Sequence, residues 1–130
     1  MKKTVFIMMI FFALVFLGGC ANVTDTENEV MLISPEEVKS MMEENEDFTL
    51  VDVRTQAEYD EGHIPGSVLI PVDELEERAG GILADKDAKI VIYCRTGNRT
   101  KTAGEILKRL GYRNLYDLGG IVDWPYETTR

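Results

Sequence analysis

The sequence predicts an α/β domain with a central, mostly parallel sheet, and three observations predict it. Short apolar runs alternate with helical patterns from residue 30 onward. Two of the helical stretches open on paired capping signals. One apolar run, Ile90 to Tyr93, is continuous rather than alternating, as in a parallel strand buried on both faces. The 130 residues, 45% apolar and 28% charged, suffice for one domain of ordinary size. Fourteen Lys and Arg against 23 Asp and Glu give a net charge of −9, which offers nucleic-acid phosphates no attraction, so no nucleic-acid partner is expected. Two cysteines and one histidine fall short of a disulfide scaffold and of a four-ligand zinc site, so no metal is expected.

The N-terminus stands apart. Lys2 and Lys3 precede an apolar run from Val5 to Leu17, the charged start and hydrophobic middle of a secretory signal, and shorter than a usual bilayer span. It closes on Leu17-Gly18-Gly19-Cys20, which resembles the lipobox of bacterial lipoproteins. That resemblance implies a signal peptide over residues 1–19 and lipidation of Cys20 as the first mature residue. The protein is then held to the bacterial cell membrane by a lipid anchor, facing the extracytoplasmic side. The alternative is an uncleaved anchor with a buried Cys20. Removing residues 1–19 takes two lysines away and leaves 111 residues with a charge of −11. Residues 20–29 are polar and aperiodic and read as a tether, and residues 30–130 as the domain.

Met31 to Ile33 reads as a first strand, followed by Ser34-Pro35-Glu36-Glu37, where Ser34 caps a helix, Pro35 suits its first position and Glu37 completes a capping box. Val38, Met41 and Met42 then share one helix face as core filler. Phe48 to Val53 is a second strand. Thr55 and Glu58 repeat the capping box before a helix that stops by Gly62, and His63-Ile64-Pro65-Gly66 makes a turn. Ser67 to Ile70 is a third strand, and Asp73 to Leu83 an acidic helix interrupted at Gly80-Gly81. Ile90 to Tyr93 ends on Cys94, and Ala103, Ile106, Leu107 and Leu110 mark a helix stopped by Gly111.

Cys94 therefore lies between a buried strand and a helix, and ligands of open α/β sheets bind beyond the carboxyl ends of the strands. The segment between them, Arg95-Thr96-Gly97-Asn98-Arg99-Thr100, is short and polar. Backbone N–H groups of such a turn converge on an anion or a thiolate. A buried small hydrophobe at a strand end is the plain alternative for Cys94.

Four segments in order resemble the signatures of rhodanese-like domains. They are Val51-Asp52-Val53-Arg54 with Glu58 and Tyr59, Gly62 to Ser67, Tyr93 to Thr100, and Gly119-Gly120-Ile121-Val122-Asp123-Trp124. The resemblance implies a central, mostly parallel five-stranded sheet flanked by helices on both faces. It implies a sulfurtransferase in which Cys94 carries a sulfane sulfur as a persulfide, with Arg95, Thr96, Gly97, Asn98, Arg99 and Thr100 as the substrate-binding loop. The implied partners are a small anionic donor, thiosulfate or a persulfide, and a thiol or cyanide acceptor. No cofactor is implied, and a monomer is expected. Arg95 is the candidate to touch the donor, while Arg99 either touches it or braces the loop. Thr96 replaces a lysine, and Arg99 a small hydroxyl, found in many thiosulfate enzymes of the family, so the donor is left open.

Phosphatases share the fold, but their loop is one residue longer than the six from Cys94 to Arg99, and a general acid is not placed here by Asp52 or Asp73. His63 invites a Cys–His hydrolase, although a turn histidine bonded to local backbone is the plainer role. Asp52, Arg54 and Glu58 read together as a structural ion-pair group, and Leu118 and Trp124 as packing. The remaining alternatives are non-catalytic: a sulfur carrier, redox sensor or docking module at the cell surface.

Overall fold

The computed structural model describes residues 29–130. The signal peptide, Cys20 and nearly all of the tether lie outside the described residues. Five parallel strands form one sheet in the order β1-β5-β4-β2-β3, with β1 at Met31–Leu32, β2 at Thr49–Asp52, β3 at Val68–Leu69, β4 at Ile90–Cys94 and β5 at Leu115–Gly120. The helices are α1 (Pro35–Glu43), α2 (Gln56–Glu61), α3 (Leu75–Ile82) and α4 (Asn98–Arg109). This is the expected architecture.

Alternation along the central strand divides the core. Ile90, Ile92 and Cys94 pack with Val51 and Val53 against Leu75 and Ala79 of α3 and Ala103 and Leu107 of α4. Val91 and Tyr93 turn the other way, joining Leu50, Leu118 and Trp124 beneath Val38 and Met41 of α1. Leu118 and Trp124 are packing residues, as expected. Both capping boxes form: Ser34 with Glu37 opens α1, and Thr55 with Glu58 opens α2.

Three expectations need correction. The acidic helix is not interrupted, since α3 runs through Gly80 and Gly81 to Ile82. Each glycine costs a helix about 1 kcal/mol, a cost that the complete burial of Leu75 and Ala79 offsets. The edge strands β1 and β3 have two residues each, shorter than the apolar runs around them. The fifth strand, not placed from its residues, is β5, where Asp117 and two glycines dilute the apolar pattern and a register shift at Ile92/Tyr93 breaks the alternation.

Candidate active site

Cys94 is the last residue of β4, and the polar loop after it leads into the twelve-residue helix α4. The turn is made by Gly97, whose φ of +94° is a left-handed conformation that other residues rarely adopt. In that conformation the Gly97 N–H donates to Cys94 Sγ at 3.0 Å. Thr100, fully buried, donates its hydroxyl to the Gly97 carbonyl at 2.8 Å and locks the turn. The end of β5 closes the loop from behind: a Cβ on Gly120 would stand 2.6 Å from Thr96 Cα and closer still to the Arg95 carbonyl, so only glycine fits. The sulfur belongs to the apolar cluster under α3 and α4, and Cys94 has no exposed surface. A molecule reaches Sγ only when loop atoms yield.

The two loop arginines are not equivalent. Arg99 sets its fork on Glu58, with Nη1 to Oε2 at 2.7 Å and Nη2 to Oε1 at 2.8 Å. Arg95 stands 4.0 Å from the same carboxylate, and its side chain is 62% exposed. Arg99 thus braces the loop against α2 and Arg95 is left facing solvent, together with the exposed Thr96 and Asn98. The hydrogen bonds from Arg99, helped by those of Thr55 and opposed by partial burial, hold the Glu58 carboxyl down to about 2 from 4.5. Its partner Arg99 is raised, chiefly by the same hydrogen bonds.

A depressed carboxyl stabilises the fold above its unfolded pKa and loses that contribution as pH falls through the folded one. For Glu58 the window is pH 4.5 down to about 2. We expect Glu58→Gln to lower the thermal midpoint at pH 6 to 7, with the gap from wild type closing across that window. A gap independent of pH between 6 and 2 would contradict the role of this ion pair.

Asp52 and Arg54 form a separate, buried pair, so Glu58 does not join them as the sequence suggested. Arg54 Nε lies 3.0 Å from both Asp52 oxygens and Nη2 lies 2.7 Å from Oδ2. Burial works against the Arg54 charge, but the hydrogen bonds and charge of Asp52 outweigh it and hold the guanidinium above its ordinary value. Arg54 Nη2 also donates to the Gly62 carbonyl at 2.7 Å, tying β2 to the turn after α2. With Asp52 fully buried in this pair, it is no general acid for a phosphatase.

His63 takes the plainer role. Its Nδ1 donates to the Tyr59 carbonyl at 2.9 Å, its ring stacks on Tyr59 at 3.6 Å, and its backbone pairs with Thr129. None of its hydrogen bonds among the described residues reaches Cys94. Sequence reasoning placed Tyr93 in an apolar run and at the head of the loop segment but gave its hydroxyl no role. Its buried hydroxyl accepts from the Ile64 N–H at 3.1 Å and meets Ser67 Oγ at 3.0 Å, pinning the turn to β4, and burial pushes the phenol well above its ordinary value. The one available signal was a tyrosine inside a strand buried on both faces, since a buried hydroxyl needs a partner.

Residues 34–126 match the model of the rhodanese-like domain. The chain is 38% identical over 93 residues to a sulfurtransferase of Allochromatium vinosum, covering 71% of this chain and 85% of that protein. It is 31% identical over 111 residues to the Bacillus subtilis protein YrkF, covering 85% of this chain but only 59% of that longer protein. The rhodanese-like domain of the Anabaena protein Alr3790 superposes with a TM-score of 0.71 at 29% identity, over 78% of this chain and 80% of that one. A family match across most of the chain, on a parallel five-stranded sheet with a cysteine at the end of its middle strand, makes this protein a member of the rhodanese-like domain family, whose general chemistry is sulfur transfer.

Proposed function

We propose that the protein is a rhodanese-type sulfurtransferase that moves a sulfane sulfur from thiosulfate or a persulfide to a thiol or cyanide through a Cys94 persulfide. The observation that carries this reading is the Gly97 N–H held 3.0 Å from Cys94 Sγ, because a backbone donor there stabilises negative charge on sulfur. In the first half-reaction the Cys94 thiolate attacks the outer sulfur of the donor, and sulfite or a thiolate leaves. In the second, an acceptor thiolate or cyanide takes the terminal sulfur and returns the Cys94 thiolate. Arg95 is the cation at the mouth for an anionic donor, while Arg99 and Thr100 shape the loop. No cofactor takes part in these steps.

The complete covering of Cys94 favours a second reading, a slow carrier that loads one sulfur without turnover. We also propose that Cys20 is the lipidated N-terminus of a monomer held to the bacterial cell membrane by a lipid anchor and facing the extracytoplasmic side. Intact-mass analysis of the protein isolated from membranes tests both proposals. Lipid is expected at Cys20, and incubation with donor is expected to add one sulfur atom at Cys94. Sulfur lost to cyanide in repeated cycles marks an enzyme, and sulfur lost once marks a carrier. An unmodified Cys20 thiol would remove the anchor, and failure of every donor to add sulfur would remove the transferase.

A further inference from the structure

Beside the Cys94 loop, an open cleft of about 240 Å³ is bounded by Arg54, Glu58, Glu61, Arg95, Ile121 and Val122. Its charge is balanced. Arg54 is matched by Asp52, and Glu58 pairs with Arg99 and lies 4.0 Å from Arg95, which leaves Glu61 as a lining carboxylate with no ion pair of its own among the described residues. With Arg54 and Arg95 set against Glu58 and Glu61 on its walls, the cleft offers a doubly charged anion no net attraction. The far wall is apolar: Val122 is 62% exposed, and its N–H donates to the Arg95 carbonyl at 3.2 Å, which fixes an uncovered aliphatic side chain beside the first residue of the loop.

We infer that this cleft receives the organic body of the sulfur donor, so that the preferred donor is a singly charged organic persulfide with an aliphatic body and not the thiosulfate dianion. Glu61 and Val122 are then specificity-determining residues. The inference rests on the sulfurtransferase reading above. In the step it describes, Cys94 Sγ bonds to the outer sulfur of R–S–S⁻ and the bond from that sulfur to R–S breaks. The leaving R–S⁻ takes up a proton from water, and the transferred sulfur keeps its oxidation state, so no oxidant or reductant is needed. The aliphatic R group covers Val122 while Arg95 faces the charge at the sulfur.

The test compares ethyl, propyl and butyl persulfides with thiosulfate on the full chain, following both kcat/KM and the mass gained at Cys94. Each added methylene is expected to raise kcat/KM up to about fourfold, as burial of one such group does. The butyl donor is expected to exceed thiosulfate about tenfold. Val122→Ser should flatten the alkyl series, and Glu61→Gln should shift the donor ratio several-fold toward thiosulfate, in variants of unchanged circular dichroism. A flat wild-type series, or a preference for thiosulfate, with sulfur still loaded on Cys94 would overturn the inference and leave the transferase standing. No sulfur on Cys94 from any donor would overturn both.

Discussion

Cys94→Ser is expected to lower sulfur transfer to the background rate, a loss of about a thousandfold or more, as removal of a covalent nucleophile does in other enzymes. A serine oxygen forms no persulfide, so no sulfur adduct should appear in the mass spectrum. The substitution removes only polarisability and a little volume at a fully buried position, and the Gly97 N–H keeps an acceptor in the serine hydroxyl. Folding stability should therefore change far less than activity. Equal turnover by wild type and variant would show that chemistry does not pass through this residue.

The largest effect on stability is expected at Asp52, which is wholly buried and holds the Arg54 guanidinium through both oxygens. Asp52→Ala leaves that cation buried without its counter-charge, and breaking a buried pair from one side costs about 3–5 kcal/mol. Asp52 Oδ1 also accepts from the Arg54 backbone N–H at 2.9 Å, so the same change frees a buried donor. The double replacement Asp52→Ala, Arg54→Met should recover much of the loss, because it removes both charges together. Denaturant titration of the three proteins measures this. A loss below about 1 kcal/mol in the single variant would mean that water replaces the carboxylate, which contradicts its burial.

What the sequence told in advance was local. Ser34 with Glu37 and Thr55 with Glu58 are three residues apart, so each capping box is complete within one turn of chain and was legible. The continuous run into Cys94 was legible because a strand covered on both faces needs no polar alternation. Partnerships across the chain were not. Glu58 read as a companion of Asp52 and Arg54 because they are neighbours in sequence, yet its partner is Arg99, 41 residues on. The same distance hid the division of labour between the two loop arginines, which depends on where α2 sets one carboxylate. The helix through Gly80 and Gly81 was misread because intrinsic preference was weighed without the burial that overrides it.

All five strands point the same way, and this polarity has a spatial result. Through β5, Met31 lies level with Val91, so the chain enters the sheet about 10 Å below the plane of Cys94, three strand residues away, and climbs toward it. The described chain thus begins near the amino edge of the sheet, and Cys94 sits at its carboxyl edge. A leash on the N-terminus would therefore hold the protein by its base and present its crown to passing molecules.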